Sequence, residues 1–171
     1  MLRPFHPLLR ALAFLGRLPA APSAFADGPH PLGGDAAAFP LAGLVLGLPS
    51  ALCLFVLPAL GLGALPSAAV AVLVLVAVTG ALHEDGLGDT ADGLFGHRSG
   101  ADALRIMKDS RVGTYGALAL VGSVLLRTAL VADVAAASPS AAALALLAAG
   151  AGSRGLMGWT WSVVPPAAPG G

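Results

Sequence analysis

Four long apolar stretches dominate the sequence and limit it to one kind of fold. They cover residues Ala36–Leu60, Ser67–Leu82, Val112–Ala132 and Ala141–Val164. The first two contain no charged residue, and the other two contain one arginine each. About 20 apolar residues cross the hydrocarbon core of a bilayer as a helix. Because lipid cannot hydrogen-bond an exposed backbone, the stretches predict an all-α, polytopic membrane bundle with about four transmembrane helices.

The overall composition agrees with a membrane protein. The chain is 57% hydrophobic and 11% charged, whereas soluble domains carry about 25% charged residues. We therefore expect the lipid bilayer as a partner. The formal net charge is zero, so the chain lacks the general basic surface that nucleic acid binding requires, and nucleic acid is excluded as a partner.

The first 35 residues predict a surface helix followed by a loop. Met1–Leu18 has leucines on one side and an arginine every seven residues, at Arg3, Arg10 and Arg17. This pattern is typical of a basic amphipathic helix that lies on a membrane surface. Pro19–Asp35 is rich in proline and glycine and predicts a loop. A secretory signal peptide is the alternative, but Arg10 and Arg17 would interrupt its apolar core.

Residues 83–111 form the predicted active-site segment. Four of the chain's nine carboxylates lie between Glu84 and Asp92. Asp85, Asp89 and Asp92 stand at i, i+4 and i+7, which is one face of a helix, and Glu84 lies off that face. Carboxylates on one stripe repel each other unless cations lie between them, and Mg²⁺ and Mn²⁺ prefer oxygen ligands. The spacing predicts a metal site, with a merely solvated acidic face as the alternative.

Positively charged residues follow the acidic stripe. His97–Arg111 predicts a short amphipathic helix, and its cations, which include Arg98, Lys108 and Arg111, suit a phosphate-bearing substrate. Arg154 lies within the fourth apolar stretch, where a charge is costly unless it faces a polar site. We expect Arg154 to face the active-site cavity. Arg127, in the third stretch, is expected to reach the membrane interface.

The distribution of positive charge predicts how the chain is oriented. Lysine and arginine occur in the N-terminal segment and in residues 98–111, but not in the connectors Gly61–Pro66 and Asp133–Ser140. Positive residues concentrate in the cytoplasmic loops of membrane proteins. The pattern therefore predicts that the acidic cluster and the N-terminal segment both face the cytoplasm.

Two motifs in this segment resemble those of one enzyme family. They are His83-x-Asp85-Gly86-Leu87-x-Asp89-Thr90-Ala91-Asp92-Gly93 and the run Ile106–Gly116. Phe14–Pro19, Phe39–Gly43 and Ser153–Met157 are similar to other segments of the same family. On these motifs the chain resembles cobalamin synthase, also called adenosylcobinamide-GDP ribazoletransferase.

The resemblance implies a particular reaction and location. Such an enzyme is a Mg²⁺-dependent, multi-pass protein of the bacterial inner membrane that acts late in cobalamin biosynthesis. It joins adenosylcobinamide-GDP to α-ribazole, or to α-ribazole 5′-phosphate, and releases GMP. Residues 1–171 would form a single transferase domain.

The resemblance also implies roles for individual residues. Its metal ligands correspond to Asp85, Asp89 and Asp92. Asp109 becomes a further ligand or the base, and Lys108 and Arg111 become phosphate contacts. Asp92 and Asp109 are the candidate catalytic carboxylates. His83 either orients a ligand or is structural.

Two features depart from the family pattern. Glu84 stands where an apolar residue is expected. Family members also continue through further transmembrane helices, so the chain is expected to be C-terminally shortened: a truncated product, a fragment, or a protein that completes itself as a homo-oligomer. The alternative function is a non-catalytic cation-binding membrane protein or carrier, or an inactive subunit.

Overall fold

The described part of the chain consists of helices and the loops that join them. A computed structural model describes residues 5–19, 22–26, 28, 32–96 and 100–165, and no strand occurs among them. The α-helices of this part are α1 (His6–Leu15), α2 (Phe39–Ala59), α3 (Ala64–Thr79), α4 (Leu82–Phe95), α5 (Gly100–Met107), α6 (Thr114–Ala137) and α7 (Pro139–Val163). Short 3-10 helices cover Pro22–Phe25 and Leu32–Ala38. The predicted all-α class is confirmed.

Three continuous helical segments of the described chain are long and apolar enough to cross a membrane. They are Gly33–Ala59, Thr114–Ala137 and Pro139–Val163. Helices α3 and α4 meet the same criterion only as a pair that is bent by 90°. The protein is therefore a multi-pass helical membrane protein, and its described part has three candidate spans, or four if the bent pair counts as one. The predicted second span Ser67–Leu82 is wrong in its bounds, because α3 ends at Thr79.

The bend between α3 and α4 has a local cause. Gly80 and Ala81 both adopt left-handed backbone conformations, with φ of 63° and 58°. The Ala81 amide donates to the Val76 carbonyl at 2.8 Å and the Gly80 amide to the Ala77 carbonyl at 3.1 Å, which is a Schellman-type helix end. A side chain at Gly80 would also collide with Arg17. The chain thus leaves α3 abruptly and starts α4 in a new direction.

Helices α2 and α7 pack closely without the breaks that their sequences suggest. Helix α2 continues through Pro49 and Pro58, and α7 continues through the glycine-rich residues 150–155. The glycines instead permit a backbone contact, since a Cβ at Gly150 would lie 3.1 Å from the Gly43 carbonyl oxygen. Helix α7 is therefore continuous from Pro139 to Val163.

The N-terminal helix is held to the bundle by a buried ion pair. Arg10 Nε and Nη2 donate to the Asp35 carboxylate at 2.7 and 2.6 Å, and the Asp35 side chain is 3% exposed. The prediction that Arg10 lies on the membrane surface is therefore wrong. The face of α1 that carries Arg10 packs against the segment before α2. Arg3 lies outside the described residues. The Arg17 amide donates to the Val78 carbonyl at 2.9 Å, so the end of α1 lies beside the end of α3.

The connection between the last two helices is tighter than predicted. Helix α6 ends at Ala137 and α7 begins at Pro139. Ser138 joins them, and its hydroxyl accepts a hydrogen bond from the Ala141 amide at 3.2 Å. The predicted turn Asp133–Ser140 is therefore mostly helical. A serine before a proline at the first helical position is sufficient to restart a helix.

Candidate functional site

Helix α4 runs antiparallel to the first half of α6. Near its start, Glu84 pairs with Arg127 in the middle of α6. One turn later, Gly88 faces Leu120, and a Cβ at Gly88 would lie 3.5 Å from the Leu120 side chain. Near its end, Asp92 contacts the beginning of α6. Glycine at position 116 allows the two helices to approach each other, because a Cβ there would lie 2.9 Å from the Gly88 carbonyl oxygen.

The three aspartates of the stripe lie on one helix, as their spacing predicts. Asp85 is exposed and Asp89 is half-buried. Within the described residues, neither carboxylate has a hydrogen bond or an ion pair, so their oxygens are available to a ligand. No group of three His, Cys, Asp or Glu side chains in this part of the chain is close enough to hold a metal ion by itself. Their role as metal ligands stays a prediction.

Asp92 has a defined structural role. One carboxylate oxygen accepts a hydrogen bond from the Gly113 amide at 2.7 Å, and the other accepts one from the Gly116 amide at 2.8 Å. These amides belong to the first turn of α6, where backbone N–H groups have no partner within the helix. Asp92 therefore caps α6 from the neighbouring helix α4. A side chain at Gly113 or Gly116 would collide with this carboxylate.

The predicted phosphate-binding residues lie on the loop that joins α5 to α6. Helix α5 packs on α4 at Gly93, where a Cβ would meet the Met107 side chain at 2.7 Å. The loop then passes Lys108 and Arg111, both exposed, and reaches Gly113 beside Asp92. Lys108 and Arg111 were expected at a helix end, but α5 stops at Met107. Arg98 lies outside the described residues.

Asp109 is engaged by its neighbour Arg111. The Arg111 side chain donates to the two Asp109 oxygens at 3.0 and 2.6 Å, and its amide donates at 3.1 Å. The side-chain hydrogen bond from Arg111 is the main reason that the pKa of Asp109 falls from 3.8 to about 2. This carboxylate is therefore a weak proton acceptor in the present arrangement.

A second polar cluster lies at the start of α4. Glu84 accepts from Arg127 Nη2 at 2.9 Å, with side-chain exposures of 13% and 35%. Arg127 was expected to reach the membrane interface, but the glutamate one residue before the acidic stripe holds it within the bundle. Glu84, which departs from the family pattern, therefore has a partner in Arg127 of the third apolar stretch.

Arg154 and His83 join Glu84 and Arg127 around one cavity. The cavity has a volume of about 590 Å³ and lies between α3, α6 and α7, with the start of α4 at its polar end. Arg154 is 7% exposed, and its Nη1 donates to Ser153 Oγ at 3.0 Å. Arg154 thus lines this cavity. That this cavity is part of the active site stays a prediction.

The predicted residues therefore fall into two groups. The first group lies on α4 and on the loop after α5, which reaches Asp92 at Gly113: Asp85, Asp89, Asp92, Lys108, Asp109 and Arg111. Arg154 belongs instead to the cavity. The sequence analysis did not assign Glu84 and Arg127 to a site. Glu84 lies next to an apolar stretch and Arg127 lies inside one, and a charge in such a position indicates that it has a partner of opposite charge.

These observations define a class of protein. It is a multi-pass helical membrane protein in which a sharply bent pair of helices carries three aspartates on its second helix and an ion pair with a third helix near the bend. The family model of cobalamin-5-phosphate synthase matches residues 7–171, and the chain belongs to this family.

Curated relatives agree with the family match. The chain is 50% identical over 163 residues to the adenosylcobinamide-GDP ribazoletransferase of Rhizobium meliloti (strain 1021), covering 95% of this chain and 62% of the relative. It is 51% identical over 159 residues to that of Rhizobium etli (strain CIAT 652), covering 92% and 61%. The Brucella anthropi protein of the same name is 49% identical over 164 residues, covering 95% and 63%. The chain thus spans about three fifths of these relatives' length. No solved structure matches it.

Proposed function

We propose that this chain carries out the transfer for which its relatives are named, from adenosylcobinamide-GDP to a ribazole. The family match over residues 7–171 is the observation that carries the proposal. The residues of α4 and of the loop after α5 add chemical support, because α4 carries carboxylates and the loop carries exposed cations. That combination suits a substrate with a diphosphate group.

The proposed reaction is a displacement at phosphorus. A ribose hydroxyl of the ribazole attacks the phosphorus next to the cobinamide arm and forms a new P–O bond. The bond from that phosphorus to the GMP oxygen breaks, and GMP leaves with the electron pair. The hydroxyl proton passes to a carboxylate. The residues must therefore hold the diphosphate, orient the hydroxyl and accept one proton.

The donor chemistry of α4 fits a magnesium ion. Asp85 and Asp89 are one helical turn apart, and neither has a hydrogen bond or ion pair in the described chain. Their hard carboxylate oxygens are the ligands that Mg²⁺ prefers. We propose that they hold the ion, with the substrate and water supplying further oxygens. When bound, Mg²⁺ would offset the negative charge that develops on the phosphate oxygens.

The other residues of this region have separate proposed roles. Lys108 and Arg111 are exposed on the loop and would bind the diphosphate. Asp92 uses both oxygens to cap α6, so it positions that loop relative to α4. Asp109 is a weak base beside Arg111. Asp89 is therefore the better candidate to accept the hydroxyl proton.

We also propose the bacterial inner membrane as the location, with the acidic face of α4 on the cytoplasmic side. The positive residues of the N-terminal segment and of the loop after α5 support this orientation. The contact between Arg17 and Val78 supports a common side for the N-terminal segment and the start of α4.

The test is release of GMP by purified protein in detergent with adenosylcobinamide-GDP, α-ribazole and Mg²⁺. The Asp89→Asn variant removes one ligand charge and the proposed proton acceptor. Asp133→Asn makes the same chemical change at an exposed position near the far end of α6. We expect the wild type and Asp133→Asn to release GMP, and Asp89→Asn to lose at least about 100-fold in rate.

Two results would contradict the proposal. Folded wild-type protein that releases no GMP would show that residues 1–171 do not catalyse the transfer by themselves. Equal rates for the two asparagine variants would remove Asp89 from the reaction. Omission of Mg²⁺ should reproduce the Asp89→Asn loss in the wild type, since both changes remove the charge compensation on the phosphate.

A further inference from the structure

Helix α4 is fixed to α6 near both of its ends. Near its start, Glu84 Oε1 pairs with Arg127 Nη2 at 2.9 Å. Near its end, Asp92 accepts hydrogen bonds from two amides at the beginning of α6. Asp85 and Asp89 lie between these two contacts in the sequence and have no hydrogen bond or ion pair of their own in the described chain. Their positions therefore depend on the residues that flank them.

The connection to α3 does not by itself fix the direction of α4. Gly80 and Ala81 both adopt left-handed conformations, and the two helices meet at an angle of 90°. The hydrogen-bond pattern of α3 ends there, and the Asp85 amide donates to the Ala81 carbonyl as α4 begins. Because no continuous helical hydrogen bonding runs through the bend, side-chain contacts with neighbouring helices must hold the start of α4 in place.

Two arginines from different helices interact with Glu84. Arg127 belongs to α6. Arg154 belongs to α7, is 7% exposed and interacts electrostatically with the same carboxylate. All three side chains line the cavity between α3, α6 and α7. The Glu84 side chain is 13% exposed, so water screens its attraction to the two guanidinium groups only weakly. One carboxylate thus joins α4 to both α6 and α7.

The hydrogen-bonding groups of these residues are complementary. Within the described residues, Glu84 Oε2 and Arg154 Nε are both buried and make no hydrogen bond. The first atom is an acceptor and the second is a donor. The Glu84 carboxylate is therefore suited to serve both arginines, one at each oxygen. Removal of its charge would leave two guanidinium groups inside an apolar bundle without a counter-charge, which is costly.

We propose that Glu84 is a positioning residue for the acidic face of α4. Its contacts with Arg127 and Arg154 fix the first turn of α4 against α6 and α7. The position of that turn determines where the carboxylates of Asp85 and Asp89 lie. Glu84 acts through the helix and is not itself a metal ligand. The use of the two aspartates as metal ligands rests on the proposed function, whereas the position of α4 does not.

The position of α4 is measured without substrate or metal. Spin labels are attached at two exposed positions, Leu87→Cys on α4 and Leu125→Cys on α6, in a Cys53→Ser background. EPR of the labelled protein in nanodiscs reports the distribution of distances between the labels. We expect one narrow distribution when Glu84 is present and a broader or shifted one in Glu84→Gln. Gly150→Leu, which acts on the contact between α2 and α7, is the control for a general loss of stability and should leave the distribution unchanged.

Binding of Mn²⁺ tests the consequence for the two aspartates. Mn²⁺ is visible by EPR and takes the same oxygen ligands as Mg²⁺. We expect Glu84→Gln to weaken Mn²⁺ binding about 10- to 100-fold, as is usual when a residue that orients metal ligands is removed. Arg127→Met removes a positive charge, which by itself would strengthen the binding of a cation. We expect Arg127→Met to weaken Mn²⁺ binding, because it removes a contact that fixes α4, and Arg127→Lys to restore it.

Arg127→Met also keeps the proposal testable if Glu84→Gln does not fold. This variant leaves Arg154 as the counter-charge of Glu84, and methionine is compatible with an apolar helix. We therefore expect it to fold, and its distance distribution should broaden or shift like that of Glu84→Gln.

The outcomes separate the positioning role from the proposed function. Distance distributions that are unchanged in Glu84→Gln and Arg127→Met would overturn the positioning role. Mn²⁺ binding that is as tight in Arg127→Met as in the wild type would also overturn it. Wild-type protein that binds no Mn²⁺, with distances that respond to Glu84→Gln, would contradict the metal site of the proposed function and support the positioning role.

Discussion

At the scale of single residues, neighbouring charges in this chain serve different purposes. Glu84 and Asp85 are consecutive, yet Glu84 pairs with Arg127 at the cavity whereas Asp85 is exposed on the acidic face. Asp89 and Asp92 are three residues apart, yet only Asp92 is bonded to the amides of α6. A helix turns by about 100° per residue, so adjacent carboxylates reach different environments.

The capping role of Asp92 predicts a loss of stability. Asp92→Ala leaves two amides of the first turn of α6 without their acceptor. We expect a decrease of about 1–2 kcal/mol in the free energy of unfolding, the usual cost of losing a helix cap. Asp89→Ala breaks no hydrogen bond in the described chain, so it should change the free energy of unfolding by less than about 0.5 kcal/mol. Denaturation in mixed detergent micelles measures both, and an equal loss in the two variants would contradict the cap.

The pair of Asp109 and Arg111 predicts a pH dependence. The pKa of Asp109 is lowered to about 2 in the folded protein, chiefly by hydrogen bonds from the Arg111 side chain. A lowered pKa contributes stability above the unfolded value of about 3.9, and this contribution is lost as the pH falls from about 4 to 2. Arg111→Gln should return the pKa of Asp109 towards 3.9.

Carbon NMR of labelled protein in micelles measures the titration of this carboxylate directly. Arg105→Gln is the matched control, because Arg105 is a minor contributor to the same shift. A midpoint near 4 in the wild type would show that the Arg111 hydrogen bonds do not form in solution.

At the scale of helices, glycine decides which elements touch and where the chain turns. Gly80, together with Ala81, ends α3 in a left-handed conformation and redirects the chain into α4. Gly43 and Gly150 instead lie inside long helices and bring α2 and α7 into backbone contact. In a bilayer the hydrophobic effect does not drive helices together, so close packing of small residues supplies much of the attraction.

This packing predicts a contrast between two glycines of α7. Gly150→Leu places a bulky side chain against the Gly43 carbonyl and should lower stability by about 1–3 kcal/mol, as expected for overpacking. Gly152→Leu is the matched control, because a Cβ at Gly152 meets nothing within 4 Å. Thermal unfolding in detergent compares the two. Similar transition temperatures would show that α2 and α7 do not approach at Gly150.

At the scale of the whole molecule, lysine and arginine are unevenly distributed between the two ends of the helix bundle. The N-terminal segment contacts the end of α3, and the loop after α5 lies beside the end of α4. The connectors at residues 60–63 and at Ser138 carry no lysine or arginine. The bundle is therefore asymmetric in charge, which is what orients a protein in a membrane.

The proposed orientation predicts which loops are accessible from outside the cell. Single cysteines are introduced as Leu62→Cys and Ser110→Cys in a Cys53→Ser background. In right-side-out spheroplasts, a membrane-impermeant maleimide should label position 62 directly and position 110 only after permeabilisation. The reverse pattern would place the acidic face of α4 outside and contradict the cytoplasmic assignment.

The sequence by itself determined the helical class, the positions of most apolar helices and the placement of Asp85, Asp89 and Asp92 on one helix. These properties are local, because helix hydrogen bonds join residues four apart and a bilayer requires apolar residues in continuous runs. The sequence did not predict that α3 ends at Thr79. One reason for this end is the contact between Arg17 and Gly80, which are far apart in the chain.

Only the tertiary structure decided which charges meet. The Arg10–Asp35 and Glu84–Arg127 pairs join residues that are far apart in the chain, and their spacing carries no signal of contact. The same holds for Asp92, whose partners are backbone amides that any sequence possesses. A charge inside an apolar stretch reveals that a partner is needed, because its burial is costly, but helix packing determines which residue supplies it.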